Sequence, residues 1–158
     1  MRSVHIPIQA IKGRGIAHLQ PHRFERHARE AFDDGWGALD DAAQARDAAP
    51  PPATEVRWED CKSAITRNDS PDVGFALGLN PYRGCEHGCV YCYARPSHSY
   101  LNLSPGLDFE TRLIAKRNLA QVLQRELASP RHVPGLLAIG TVTDAYQPIE
   151  RELRRTRE

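Results

Sequence analysis

Long apolar runs are missing from this chain. No stretch approaches the roughly 20 consecutive apolar residues that a membrane-spanning helix needs. The opening segment, Met1 to Pro7, holds no apolar run long enough for a secretory signal. Both absences point to the cytoplasm, where thiols stay reduced. A dominant charge is missing too, since the formal net charge is only +1. The balance is uneven along the chain. Residues 1–30 carry six Arg/Lys against two Glu, residues 31–60 two Arg against eight Asp/Glu, and residues 61–158 thirteen basic against ten acidic. There is no overall basic excess of the kind that marks a nucleic-acid binder. Length is modest: 158 residues allow one ordinary domain. Cysteine is sparse, with four in all, yet three of them fall within eight positions.

Those three are Cys85, Cys89 and Cys92, in the order C-x3-C-x2-C. The lead-in Asn80 to Gly84 contains Pro81 and Gly84, so it reads as loop rather than helix or strand. A loop can turn three sulfurs onto one centre. Gly84 and Gly88 are expected to let the backbone approach whatever the sulfurs hold. Iron–sulfur clusters usually take four cysteines, one per iron. Three would leave one iron free for a small molecule with amine and carboxylate groups. Zinc is the rival, because a Cys3His site needs only one further ligand, with His87 and His98 nearby. Three plain buried thiols, or a disulfide with a spare, is the bland reading. Spacing alone does not divide cluster from zinc. Cys61, 24 positions upstream, reads as a small buried side chain. As a fourth ligand it would close the open iron.

Taken in order, residues 1–53 read as a basic leader followed by an acidic linker. Lys12 to Gly15 reads as a flexible basic arm. Pro21 to Phe32 is predicted to be a short helix with Phe24, Ala28 and Phe32 on one face. Asp33 to Ala53 is acidic, rich in Ala and ends on Pro50 to Pro52, so it reads as a linker, with Trp36 docked on a neighbour. Residues 54–158 then show β/α patterning. Strands are expected at Thr54 to Trp58, Ala64 to Thr66, Gly74 to Leu79, Phe109 to Ala115 and Leu136 to Gly140. Asn68 to Pro71 is a turn. Tyr93 to Arg95 starts a helix that Pro96 disturbs. The spacing of Leu119, Val122, Leu123 and Leu127 predicts a helix over Asn118 to Ala128, with Asn118 as its N-cap. A charged helix is expected from Pro148 onward.

The motif C-x3-C-x2-C with Tyr91 before the last cysteine resembles the signature of the radical S-adenosylmethionine superfamily. The longer run Asn80 to His98 resembles the branch that includes spore photoproduct lyase and its uncharacterised bacterial relatives. Gly140 to Glu150 and Thr66 to Pro71 resemble the same branch. So do Gly13 to Gly15 and Arg23 to Glu25 in the leader. The likeness runs from about Thr54 to Glu158, with its cluster loop at 80–98, and favours an iron–sulfur cluster over zinc. It implies an α/β fold: the first β/α units of a partial (β/α)6 barrel, preceded by a flexible leader. Only two such units are visible, so the chain reads as a truncated, N-terminal portion.

The resemblance implies further that Cys85, Cys89 and Cys92 ligate a [4Fe–4S] cluster, whose open iron binds S-adenosylmethionine. Reductive cleavage would give methionine and a 5′-deoxyadenosyl radical, which abstracts hydrogen from a substrate. Cofactor contacts fall by resemblance on Tyr91, Thr143 and Asp144. The superfamily's commoner Gly-Gly-Glu is replaced here by Thr141 to Asp144, with Asp144 the group to receive the ammonium. Arg83 and His87 flank the cluster, and Glu150 and Arg151 pair or lie in solvent. The implied partners are a one-electron donor such as a flavodoxin or ferredoxin, a substrate that nucleic-acid repair would suit, and a separately encoded remainder of the barrel. The alternative is a non-catalytic zinc- or cluster-binding module.

Overall fold

Three residues, Leu77-Gly-Leu79, are buried throughout and carry the chain into the cysteine segment. A computed structural model describes residues 2–6, 13–16, 19–31 and 52–158. Among them the strands are β1 (Arg2–Ile6), β2 (His27–Ala31), β3 (Glu55–Glu59), β4 (Ile65–Arg67), β5 (Leu77–Leu79), β6 (Tyr82–Arg83), β7 (Arg112–Lys116) and β8 (Leu137–Ile139). They form three small sheets, with orders β1-β2, β3-β7-β6 and β4-β5-β8. The β1-β2 and β3-β7 pairs are parallel, with Glu55 opposite Arg112 in the second. Strand β5 is antiparallel to β4 but parallel to β8, Leu77 facing Leu137.

Helix α1 is Leu107–Thr111, α2 is Leu119–Leu127 and α3 is Glu150–Leu153. Three of the four α2 stripe residues behave as the spacing requires, while Leu127 is 46 % exposed. Leu119 and Val122 close a core with Leu79, Cys61 and Ala64, and Leu123 and Leu137 pack against it. This lays α2 over the β5-β8 pair it connects. A helix crossing between parallel strands is how such a pair is joined. A second core gathers Cys85, Ala94 and Phe109, backed by Cys92 and Val142.

Several expectations are corrected. The helix expected over Pro21 to Phe32 is absent from its described part, Pro21 to Ala31: a turn at Arg23 and Phe24 leads into β2. Main-chain pairing with β1 overrides the i, i+4 spacing, and Phe32 lies outside the described residues. The strand expected over Phe109 to Ala115 begins only at Arg112. Before it the chain coils as α1, where Asp108 accepts the Ser104 N–H (2.8 Å) and Thr111 Oγ1 donates to Leu107 O (2.8 Å). Strand β5 is shorter than Gly74 to Leu79, because Asn68 N–H donates to Ala76 O (2.9 Å) and closes the preceding turn. The lead-in to the cysteines is not all loop, since β6 pairs with Ala115 and Ile114 of β7. Asn118 holds the N-cap position of α2, as expected, but its side chain makes no capping bond. Its amide is spent on Cys61, accepting from N–H (2.8 Å) and donating to O (3.1 Å). Pro96 does not disturb a helix but opens the 3-10 helix Arg95–Leu101. The C-terminal helix lasts only one turn, ended by left-handed Arg154. Most of the 33–53 linker, Trp36 included, lies outside the described residues. No helix among the described residues is long and apolar enough to cross a membrane.

Candidate functional site

Two loops leave the carboxyl ends of the parallel strands β5 and β8, and they face each other. Ligands of open α/β sheets bind outside such strand ends. Asn80, at the end of β5, joins them: its Nδ2 donates to Thr141 Oγ1 (3.0 Å) and its Oδ1 accepts the Val142 N–H (2.9 Å). Four residues on, Gly84 O accepts from Thr143 Oγ1 (2.6 Å). Buried Gln147 donates to Thr143 Oγ1 (3.1 Å) and accepts the Glu86 N–H (2.8 Å). The chain on either side of Cys85 is therefore bolted to the second loop.

Between the loops lies a cavity of about 530 Å³. Cys85, Cys89 and Cys92 line one wall and residues 139–146 the other. That volume falls in the range of small-molecule and cofactor sites. All three thiols are free; Cys85 is buried, Cys92 half-buried and Cys89 exposed. Burial pushes the Cys85 thiol up from its ordinary pKa. Backbone N–H groups of Asp144 and His87 aim at its sulfur and favour the thiolate, while the charges of Asp144 and Cys92 oppose it. Such a sulfur wants a cationic partner before it ionises. Among the described residues, no group of three His, Cys, Asp or Glu closes on a point that one metal ion would occupy. The three sulfurs share the cavity wall, a set of soft thiol donors suited to iron–sulfur and zinc chemistry alike.

A cage of polar groups holds the back of the loop. Arg95, 5 % exposed, donates to Gly88 O (2.8 Å), Cys89 O (2.9 Å) and Gly106 O (3.0 Å), and pairs with fully buried Glu110 (2.6 Å). The Cys85 N–H donates to Phe109 O (3.0 Å) and the Cys92 N–H to Cys89 O (3.2 Å).

The residues singled out from the sequence are scattered in part. Asp144 lines the cavity, accepts the Tyr146 N–H (2.7 Å) and lies 3.4 Å from His87 Nε2. Thr143 lines it too, but its hydroxyl is committed to Gly84 and Gln147. Tyr91 is 86 % exposed and is absent from the lining, whereas Tyr93 is on it, its hydroxyl bonded to Thr141 O. Arg83 turns away to Glu59 (3.1 Å). His98 is no ligand: it is buried against Phe109, with Nε2 at Arg112 O (2.9 Å). Cys61 belongs to the α2 core, not to the cavity. Glu150 is neither solvated nor paired with Arg151. It is buried and accepts the Tyr82 hydroxyl and the Thr156 N–H (3.1 Å). Nor do Gly84 and Gly88 open the way to a bound group. A Cβ on Gly84 would strike Leu113, His98 and Phe109 O, and one on Gly88 would strike Arg14 and Glu110. Asn80, Tyr93, Arg95, Glu110 and Gln147 were missed, because nothing local marks a polar residue whose partner is distant.

The fold and site define a thiol-lined cavity at the ends of two parallel strands. Its likenesses are to proteins of unassigned activity. An uncharacterized protein of Mycobacterium tuberculosis strain H37Rv is 45% identical over 91 residues, 57% of this chain and 27% of that protein. One from Mycobacterium bovis matches to the same extent. An uncharacterized protein of Methanocaldococcus jannaschii is 32% identical over 90 residues, 57% of this chain and 32% of that one. The chain thus spans about a third or less of the curated relatives it matches. No family model matches it, and no solved structure does.

Proposed function

We propose that the chain carries the cluster-binding part of a radical S-adenosylmethionine enzyme, with Cys85, Cys89 and Cys92 as ligands of a [4Fe–4S] cluster. One observation carries the reading: three free thiols, in C-x3-C-x2-C order, line a single cavity whose opposite wall is open to a small molecule. When bound, the cluster and S-adenosylmethionine would supply a 5′-deoxyadenosyl radical for hydrogen abstraction. The chain's own groups do the holding. Cys85 lies deepest, with the Asp144 and His87 N–H groups at its sulfur, contacts that tune a thiolate ligand. Asp144 lines the cavity, and its carboxylate suits an ammonium group. The resemblance gives the aromatic contact to Tyr91, while Tyr93 is the tyrosine that lines the cavity.

The reading extends to a partial barrel begun by β5, α2 and β8, and to a one-electron donor of the flavodoxin or ferredoxin kind. The substrate is open, and nucleic-acid repair rests on kinship with spore photoproduct lyase alone. Four free cysteines support residence in the reducing cytoplasm. The reading includes a separately encoded remainder of the barrel as a partner.

Anaerobic reconstitution of the full chain with ferrous iron and sulfide tests this. About four irons and four sulfides per chain are expected, and S-adenosylmethionine should change the electron paramagnetic resonance spectrum of the reduced protein. Cys85→Ala, Cys89→Ala and Cys92→Ala each lose the cluster, while Cys61→Ala keeps it. Tight zinc at one per chain, with no iron uptake, would establish the zinc module instead.

A further inference from the structure

Glu110 is a carboxylate with no exposed surface, and Arg95 is only part of what neutralises it. Three successive backbone N–H groups of the leader converge on it. Arg14 (2.8 Å) and Gly15 (2.9 Å) donate to Oε2, and Ile16 (2.8 Å) to Oε1. Consecutive N–H groups turned onto one anion form a nest. Here the anion is supplied from within the chain, 94–96 positions away. The Arg14 side chain continues the attachment. It donates to Glu110 O, to Thr54 Oγ1 (2.6 Å) and to Glu86 Oε1 (3.5 Å). Glu86 is the neighbour of Cys85 and also accepts the Ile149 N–H (2.6 Å).

The fit admits little variation. A Cβ on Gly15 would lie 1.7 Å from Gly88 O, in the middle of the cysteine loop. Backbone lies against backbone there, and only glycine allows it. The same leader docks a second time nearby. Gln20 O accepts from Ser104 Oγ (2.7 Å), and Phe24 lies against Tyr100 with ring centroids 5.6 Å apart. Tyr100 belongs to the 3-10 helix that Arg95 opens.

We infer that Gly13–Ile16 is a clamp that seats the cysteine loop, with Arg14 and Gly15 as positioning residues for the three thiols. Restraint passes from the leader to Glu110, then to Arg95, then to the carbonyls of Gly88 and Cys89. A second path runs from Arg14 through Glu86 to Cys85. The basic leader is thus a working part of the site rather than a loose arm. The clamp stands whichever group the thiols take; its effect on a cluster rests on the function proposed above.

The test uses the full chain in iron-free and reconstituted forms. In the iron-free protein, Gly15→Ala should raise the alkylation rate of Cys89 and Cys92 by about tenfold, by freeing the loop to open. It should also abolish hydrogen-exchange protection at the Cys85 and Cys92 amides. Arg14→Ala keeps the backbone nest and should give a smaller rise, about threefold. It keeps the inference testable if Gly15→Ala does not fold. Gly74→Ala, whose added methyl meets nothing within 4 Å, should match wild type throughout. In the reconstituted protein, Arg14→Ala should shift the resonance lines of the reduced cluster at unchanged iron content, which general destabilisation would not do. Wild-type alkylation and exchange in both leader variants would overturn the clamp, even with iron bound as proposed. A wild type that takes zinc in place of iron would remove the cluster but leave the iron-free readouts to decide the clamp.

Discussion

His98 shows how burial can dominate a residue's chemistry. It has no exposed surface, and its Nδ1 has no hydrogen-bond partner. Burial pushes its pKa below the ordinary histidine value; the Arg112 carbonyl and Asp108 act the other way, and Arg83 adds to the fall. The unfolded chain therefore takes up a proton at this position as pH falls through about 6.5, while the folded chain does not. Where the unfolded state binds more protons, stability falls with pH. Denaturant midpoints measured from about pH 7.5 to 5.5 should decline, and His98→Leu should flatten that slope. Arg95 and Glu110 make a sharper case. Removing Arg95 alone leaves Glu110 buried beside backbone donors only, and Arg95→Ala should cost about 3–5 kcal/mol in urea unfolding. The cysteine triad was legible in the sequence because its spacing is local. Its support was not, because Arg95 meets Glu110 15 positions away and Glu110 meets Arg14 96 away. One-dimensional pattern carries no trace of such pairings.

Elements were legible where one periodicity had no competitor. The α2 stripe and the short apolar run of β8 were placed to within a residue or two, the first from a helical period and the second from a continuous apolar run. Where side-chain bonds coil a chain that alternates in hydropathy, as at Phe109, the period misleads. Asn118 illustrates the same limit: a good capping residue spends its amide on Cys61 once tertiary structure offers it both partners. The far end of α2 is held by a different device. Glu126 accepts the Ile65 N–H (2.9 Å) and the Ala64 N–H (3.1 Å), tying the helix to β4. Burial raises its pKa, but the Ile65, Ser63 and Ala64 bonds together with Arg125 outweigh this and hold it below the ordinary value. A carboxylate so depressed stabilises the fold above its unfolded pKa. That contribution is lost as pH falls through the folded one. Glu126→Gln should therefore lower stability at neutral pH by about 1 kcal/mol and remove part of the acid-side slope. Thermal unfolding at neutral and acid pH would register both effects.

On the scale of the whole molecule, the polar cage is complete but the apolar surface is not. Strand β8 is an edge of its sheet. Leu136, Ile139 and Tyr146, on and around it, are 69 %, 54 % and 66 % exposed. An unpaired edge beside exposed apolar side chains is a template for association. The cavity wall opposite the cysteines belongs to the same stretch, residues 139–146. Whatever covers this edge would also narrow the mouth of the site. The chain by itself should accordingly self-associate as concentration rises, as sedimentation velocity would reveal. Ile139→Lys places a charge on the edge and should shift the population toward monomer. Trp58→Lys, at a 44 % exposed residue of β3 in a different sheet, should not. Equal association of Ile139→Lys and wild type would move the sticky surface elsewhere, and the exposed aromatics Tyr91 and Tyr100 would be the next place to look.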